Sequence, residues 1–187
     1  EKTENLPLTV TERAINNIIK VYYVKDQFEY IVEYYYDGVQ DVDKTERASA
    51  MYGDVIKTYT DKNIAGYKLE KIEKLPLTVT EIATNNVIKI YYTELPSVTL
   101  NYRVATDSKD RGTVDFESET LNPEIGVASG SNATPKEGYL FKNWTDAAGN
   151  ELSRYAKYVP EKKDSEAWVD GTTYYAHFAE DINRDQI

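Results

Sequence analysis

The sequence of 187 residues has no cysteine, a single histidine and one methionine. The absence of cysteine excludes disulfides, zinc–thiolate sites and thiol chemistry. With no second histidine and no cysteine, His177 lacks the further ligands that a metal site needs and the partners that a nucleophilic triad needs. We therefore interpret His177 as a solvent-facing strand residue. The chain also lacks an apolar run near the roughly 20 residues that a transmembrane helix needs, so we expect no direct membrane insertion.

Basic residues are outnumbered by acidic ones. Lysine and arginine number 22 against 32 acidic residues, and the formal net charge is −10. Nucleic acid and anionic membrane surfaces require a basic footprint, so both are excluded as expected partners.

Tyrosine is abundant, with 17 tyrosines against 4 phenylalanines. Together with threonine and valine, tyrosine favours half-exposed β-sheets, and a mainly β fold is predicted.

One stretch occurs twice. Residues 2–23 read KTENLPLTVTERAINNIIKVYY, and residues 71–92 read KIEKLPLTVTEIATNNVIKIYY, with 16 of 22 positions identical. A period of 69 residues corresponds to a whole small domain, so the chain is interpreted as a fragment of a tandem array. Residues 1–26 then form the closing hairpin of a preceding copy. An isolated hairpin is marginal in water, so we expect it to pair with a neighbour or a second chain. Its first strand is expected at residues 6–10, and its second at residues 18–24.

The complete copy begins with a strand over residues 28–36, where a period of two places Tyr34 on one face and Tyr35 on the other. Asp37 and Gly38 follow as a turn signal. A short helix is predicted over residues 55–60, with Asp54 as its N-cap. Further strands are predicted at residues 42–52, 67–72 and 87–92.

These stretches resemble the mucin-binding-protein (MucBP) repeat of Gram-positive surface proteins. The resemblance rests on YIVEYYYDG (30–38), YGDVIKTYTDKNIAGYKL (52–69) and LPLTVTEIATNNVIKIYY (75–92). It covers residues 28–94 and implies a ubiquitin-like β-grasp fold, in which the first and last strands lie side by side at the centre.

A different domain follows after a short linker. Residues 98–104 alternate as a half-buried strand, and residues 113–121 are predicted to pair back on it with Val114 and Phe116 inward. Residues 139–144 and 172–178 are predicted strands, while residues 151–159 are left open as helix or strand. Trp144 and Trp168 are interpreted as core anchors.

The second domain resembles the internalin-type B-repeat of surface proteins. GYLFKNWTDAAGNEL (138–152) and TTYYAHFAED (172–181) carry this likeness, which covers about residues 97–181. The resemblance implies another small β-grasp-like module, used as a stalk or adhesive unit.

Acidic residues lie at alternating or turn positions, which is typical of a solvated face rather than of a glycosidase carboxylate pair. Residues 146–150 are too short to wrap a calcium ion, and a looser calcium site is left open at residues 107–115. We therefore expect no enzyme activity, no bound metal and no cofactor.

Tyr22, Tyr35 and Tyr91 fall on the less apolar faces of their strands. An exposed tyrosine offers a flat apolar ring and a hydroxyl, which suits sugars and protein partners, so these three are the candidate ligand-binding residues. The alternative is cross-strand pairing that stabilises thin sheets.

The expected fold class is α+β, mainly β, with tandem small β-grasp (ubiquitin-like) modules arranged as an elongated rod. Its parts are a hairpin (1–26), a complete repeat (27–95), a B-repeat-like domain (96–182) and a tail (183–187). The expected function is a non-enzymatic repeat segment of an extracellular bacterial cell-surface adhesin that contacts neighbouring repeats and binds host mucin, another glycoprotein or carbohydrate. The alternative is an inert stalk that presents a distal domain.

Overall fold

The computed structural model describes residues 2–162 and 166–182, and these are mainly β, as the composition predicts. The chain divides into two compact units. Unit 1 comprises Glu1–Lys62 and Leu69–Tyr92, and unit 2 comprises Asn63–Lys68 and Thr93–Ile187. Within the described ranges the helical segments are three single turns of 3-10 helix, and none has the length and apolar character that crossing a membrane requires. The predicted tail (183–187) lies outside the described residues.

The N-terminal hairpin consists of β1 (Lys2–Glu4) and β2 (Lys20–Tyr22), which pair antiparallel. The second strand falls where the sequence predicts it. The first does not, because residues 6–10 form no strand. In the complete copy the equivalent Leu77–Thr78 does form a short strand, and it does so by pairing with Val55–Ile56. The LPLT sequence therefore becomes a strand only where another segment pairs with it.

Besides the β1–β2 hairpin, the described part of unit 1 contains one four-stranded sheet and one two-stranded sheet. Its remaining strands are β3 (Gln27–Tyr36), β4 (Val39–Met51), β5 (Val55–Ile56), β6 (Tyr67–Glu73), β7 (Leu77–Thr78) and β8 (Val87–Glu94). The larger sheet has the order β4-β3-β8-β6, and β5 pairs with β7. β3 and β4 form a hairpin whose two turn residues, Asp37 and Gly38, both have positive φ, as the Asp-Gly signal predicts.

The centre of this sheet is a parallel pair made of the first and last strands of the complete repeat. β3 pairs with β8 in register from Ile31 opposite Val87 to Tyr36 opposite Tyr92. Parallel neighbours require a long crossover between them, and residues 37–86 supply it. The buried side chains of both strands lie on the same face of this sheet.

The helix predicted over residues 55–60 is wrong. β5 occupies its first two residues, and residues 57–62 run without regular structure. Tyrosine hydroxyls explain the difference, because Tyr34 donates to the carbonyl of Thr60 at 2.8 Å and Tyr36 donates to that of Lys62 at 2.5 Å. These tertiary hydrogen bonds, together with the β-branched residues of the segment, outweigh the capping signal of Asp54.

Unit 2 contains a five-stranded and a three-stranded sheet. Its strands are β9 (Val98–Val104), β10 (Gly112–Val114), β11 (Ser118–Leu121), β12 (Ser131–Pro135), β13 (Tyr139–Thr145), β14 (Glu151–Ser153), β15 (Lys157–Tyr158) and β16 (Thr173–Glu180). The larger sheet has the order β11-β9-β16-β13-β14, and the smaller has the order β10-β12-β15. Residues 151–159, left open between helix and strand, contain two strands.

The first and last strands of unit 2 also form a parallel pair. β9 pairs with β16 from Asn101 opposite Thr173 to Val104 opposite Ala176. Both strands have neighbours on their other sides, so this pair lies inside the sheet. Each unit thus has the same arrangement at the centre of its main sheet.

The core of unit 2 packs around Trp144 and Trp168, which are both buried, so their predicted role as core anchors is confirmed. The indole N–H of Trp144 donates to the carbonyl of Ala156 at 2.9 Å, which satisfies its polar atom. The prediction for Phe116 is wrong, since its side chain is 57% exposed. Residues 115–117 carry the chain from one sheet to the other, so the predicted single arm is two strands.

The two copies of the repeated stretch allow a matched test of burial. Ile88 is fully buried, whereas Ile19, its equivalent in the first copy, is 44% exposed. We expect Ile88→Ala to lower the free energy of unfolding of unit 1 by about 2–5 kcal/mol, because it leaves a cavity. Ile19→Ala is expected to change it by less than about 0.5 kcal/mol. Native-state hydrogen exchange of the amides in β3 and β8 measures both effects, and equal effects would contradict the assignment of burial.

Candidate functional site

Two of the three candidate tyrosines lie together on the more polar face of the four-stranded sheet. Tyr35 and Tyr91 are directly opposite each other on β3 and β8, and their rings stack with centroids 4.7 Å apart and an interplanar angle of 21°. Both side chains are half-buried. The pairing follows from the parallel register, which brings residues of equal parity onto one face.

Carboxylates and ammonium groups surround this pair. Tyr35 donates to Glu33 at 2.7 Å, and Tyr91 donates to Glu73 at 3.2 Å. The ammonium nitrogen of Lys71 lies 2.8 Å from Glu73 and 4.3 Å from the ring centroid of Tyr91. The hydrogen bond from Lys71 lowers the pKa of Glu73. The polar tips of the stacked rings are therefore hydrogen-bonded to side chains of their own sheet.

A shallow depression of about 340 Å³ lies beside this network. Its lining includes both carboxylates that accept from the tyrosines, Glu33 and Glu73, together with Lys74 and Lys89. Groups of both charges could hydrogen-bond to the hydroxyls of a sugar or to a polar peptide.

Tyr22 lies apart from the other two candidates. It belongs to the β1–β2 hairpin and is 44% exposed. Its hydroxyl donates to Glu4 at 3.2 Å, and Lys2 lies 2.9 Å from that same carboxylate. This repeats the arrangement of Tyr91, Glu73 and Lys71 in the complete copy, but without the stacking seen there. The role of all three tyrosines in binding a ligand stays a prediction.

A second set of tyrosines, which is not among the candidates drawn from the sequence, lies on the buried face. Tyr36 and Tyr92 are opposite each other on β3 and β8 and stack at 5.2 Å. Tyr92 also donates to Asp61 at 2.6 Å and accepts from the amide of Lys62 at 3.0 Å. With Tyr34, these residues bind residues 57–62 to the sheet. The sequence contains a signal for this second set, because YYY ends the first strand of the repeat and YY lies near the end of its last strand.

Unit 2 has a comparable pair. Tyr102 on β9 and Tyr174 on β16 are register partners and stack with centroids 5.6 Å apart. Burial raises the pKa of Tyr102, as does its hydrogen bond to Glu119. In both units, stacked tyrosines therefore bridge the parallel pair of first and last strands. We call these three pairs, Tyr35–Tyr91, Tyr36–Tyr92 and Tyr102–Tyr174, the tyrosine rungs.

His177 has a more specific environment than the sequence indicates. It lies on the face of β16 opposite the core, as expected, but its side chain is only 21% exposed. One ring nitrogen is 3.1 Å from Asp107 and the other is 3.0 Å from the hydroxyl of Thr145. This order of groups matches a hydroxyl–imidazole–carboxylate triad. Thr145 is only 6% exposed, however, so its hydroxyl is enclosed, and the chain of hydrogen bonds connects β13, β16 and the turn at residues 106–108.

Two of the turn carboxylates considered for calcium, Asp146 and Asp115, accept backbone hydrogen bonds. Asp146 accepts from the amides of Ala148 and Asn150, each at 2.9 Å, and hydrogen bonds from Asn150 lower the pKa of Asp146. Asp115 accepts from the amide of Asn132. Within the part of the chain that the structure describes, no group of three or more histidine, aspartate or glutamate side chains is placed to hold a metal ion.

Comparisons with known proteins leave the family open. No protein-family model matches the sequence, and no curated protein matches it.

The tyrosine rungs lead to a prediction at alkaline pH. Partial burial, followed by the hydrogen bond to Glu33, raises the pKa of Tyr35 to about 12. An unfolded tyrosine has a pKa of about 10. Between these values the unfolded chain releases a proton that the folded chain keeps, so this contribution to stability is complete below about pH 10 and is lost as the pH rises to about 12. We expect Tyr35→Phe to remove a tyrosinate absorbance step centred near pH 12 from the folded chain.

The same chain unfolded in urea is the control. There the two proteins are expected to differ by a step near pH 10 instead, because the tyrosine is solvated. A folded-state difference centred near pH 10 would contradict the packed position of Tyr35.

Proposed function

We propose that this chain is a non-enzymatic, load-bearing segment of an extracellular bacterial surface protein, built from tandem β-grasp modules. The observation that carries the proposal is the parallel pairing of the first and last strands at the centre of each unit's main sheet. The resemblance of residues 28–94 and 97–181 to repeats of Gram-positive surface proteins supports the extracellular location.

The parallel pair determines how each unit responds to tension. The chain enters unit 1's main sheet at the start of β3 and leaves it at the end of β8. In a parallel pair these points lie at opposite ends of the ladder, so a force pulling them apart acts along the strands. The hydrogen bonds between β3 and β8 are then loaded together in shear. A hairpin pulled at its open end instead breaks its hydrogen bonds one after another.

The tyrosine rungs reinforce this pair. A stacked aromatic pair contributes about 0.5–1.5 kcal/mol beyond its buried area. A domain of this size is stable by only about 5–15 kcal/mol, so two rungs are a substantial part of the stability of unit 1. The hydroxyls of the rungs bind carboxylates and carbonyls of the same unit, which supports a structural use of these residues.

The absence of native cysteine allows a direct mechanical test on the full chain. Handles attached to Gln27→Cys and Glu94→Cys pull β3 and β8 in shear. Handles attached to Gln27→Cys and Met51→Cys open the β3–β4 hairpin from its end, because Gln27 pairs with Met51. Single-molecule force spectroscopy is expected to give a clearly higher unfolding force for the first pair of handles.

A rung substitution serves as the control. Tyr91→Leu removes one ring from β8 and is expected to lower the unfolding force between residues 27 and 94 while leaving that between residues 27 and 51 nearly unchanged. Equal forces in the two pulling directions would overturn the load-bearing function.

A second candidate function is adhesion to host mucin, another glycoprotein or carbohydrate. The depression lined by Glu33, Glu73, Lys74 and Lys89 favours it, because it brings carboxylates and ammonium groups together on the more polar face of the sheet. Tyr22 offers an exposed aromatic ring in the first copy. Sugars stack on such rings and hydrogen-bond to such groups.

Binding of the full chain to immobilised mucin, before and after enzymatic deglycosylation, tests this second function. Adhesion predicts saturable binding that is lost on deglycosylation and weakened roughly tenfold by Tyr22→Ala with Tyr91→Ala, equivalent to about 1.4 kcal/mol. Tyr155→Ala is the matched control, because Tyr155 is exposed and lies in unit 2. If no saturable binding is found, the adhesive function is excluded and the structural one remains.

A further inference from the structure

The two copies of the repeated stretch have nearly the same sequence but differ in which side chains are buried. In the complete copy, six side chains are buried: Leu77, Val79, Asn86, Ile88, Ile90 and Tyr92. Their equivalents in the first copy are Leu8, Val10, Asn17, Ile19, Val21 and Tyr23, and none of these is buried. Five of the six equivalents are the same residue, and the sixth is valine in place of isoleucine. The N-terminal hairpin therefore carries the complete set of core residues without a core around them.

Most of the sequence differences between the two copies lie outside these six core positions. Six of the 22 positions differ, and five of them correspond to residues of the complete copy that are not buried. Arg13 replaces the exposed Ile82, and Ile15 replaces the exposed Thr84. The sixth difference, Val21 for Ile90, preserves an apolar side chain. The first copy therefore keeps the residues that are buried in the complete copy, although they are not buried in the first copy.

The local geometry of the two copies is also the same. The side-chain amide of Asn17 accepts from the amide of Thr11 at 2.8 Å and donates to its carbonyl at 2.7 Å. Asn86 makes the equivalent bonds to Thr80 at 2.9 and 2.7 Å. A single 3-10 turn precedes each asparagine, at Ala14–Asn16 and at Ala83–Asn85. The first copy is therefore already folded locally into the form that the complete copy uses.

The complete copy shows which segment covers this surface. Asn86 also donates to the carbonyl of Glu29 at 3.1 Å, and its own carbonyl accepts from the amide of Ile31 at 2.9 Å. The amide of Val79 donates to the carbonyl of Asp54 at 2.9 Å. Ile88, Ile90 and Tyr92 lie on β8, which pairs with β3. The covering partner consists of β3 and the segment that follows it, all within residues 27–69.

We propose that the N-terminal hairpin is the closing half of a second module, and that its apolar face is covered by a polypeptide segment with the pattern of residues 27–69 joined directly ahead of Glu1. The register defines the junction, because the offset of 69 residues aligns Glu1 with Glu70. The hairpin is in this sense a docking surface for one type of partner. This inference holds whether or not the modules bear load.

The test is a chain in which a second copy of residues 27–69 is fused ahead of Glu1, compared with the unextended chain by hydrogen exchange and mass spectrometry. In the unextended chain the amides of residues 18–24 are expected to exchange quickly. The extension is expected to slow their exchange on the order of a hundredfold or more, towards the rates of residues 87–93. Unit 1 provides an internal standard in both chains.

Two substitutions in the extended chain make the result specific. Ile19→Asp places a charge at the position equivalent to the buried Ile88 and is expected to abolish the slowed exchange of residues 18–24. Ile15→Thr installs the residue found at the exposed position 84 and is expected to leave the slowed exchange intact.

Either of two results would overturn the proposal. The first is fast exchange of residues 18–24 in the extended chain while residues 87–93 remain slow. The second is slowing in the unextended chain that increases with protein concentration, because a second molecule would then be the partner.

Discussion

The parallel hydrogen-bonded pairing of the first and last strands is the constraint on which each unit depends. Such a pair forms only when the intervening chain crosses over and returns, so β4 to β7 in unit 1 and β10 to β15 in unit 2 are arranged around it. The pair also places the entry and exit points of each main sheet at opposite ends of one ladder. The parallel pairing of the first and last strands thus determines the sheet order, the position of the core and the direction in which tension acts.

Tyrosine suits this arrangement for a physical reason that phenylalanine does not share. Its ring stacks on the partner strand, and its hydroxyl binds a polar group beyond the ring. In unit 1 the hydroxyls of Tyr34, Tyr36 and Tyr92 bind residues 57–62, a segment with no regular structure of its own. Tyrosines on the buried face of this sheet therefore hold the crossover segment in place, while Tyr35 and Tyr91 form a half-buried stacked pair on the opposite, more polar face.

Local pattern predicted most of the strands, because a period of two and the Asp-Gly turn act within a few residues. It failed where tertiary contacts decide the structure. The helix predicted over residues 55–60 does not form, because tyrosine hydroxyls from a distant strand bind the carbonyls of Thr60 and Lys62. Phe116 is exposed because the chain changes sheets there. Tyr22 and Tyr91 show the limit most clearly. Their neighbouring residues are nearly the same, and only the presence of β3 beside Tyr91 gives the two rings different surroundings.

The parallel pair is expected to be the most stable element of each unit, and native-state hydrogen exchange of the full chain measures this stability amide by amide. We expect the amides that link β3 to β8, and those that link β9 to β16, to exchange last and only through global unfolding of their unit. The amides of the β3–β4 hairpin are predicted to exchange earlier, through local opening. Slower exchange in that hairpin than in the β3–β8 ladder would show that the parallel pair is not the most stable element of unit 1.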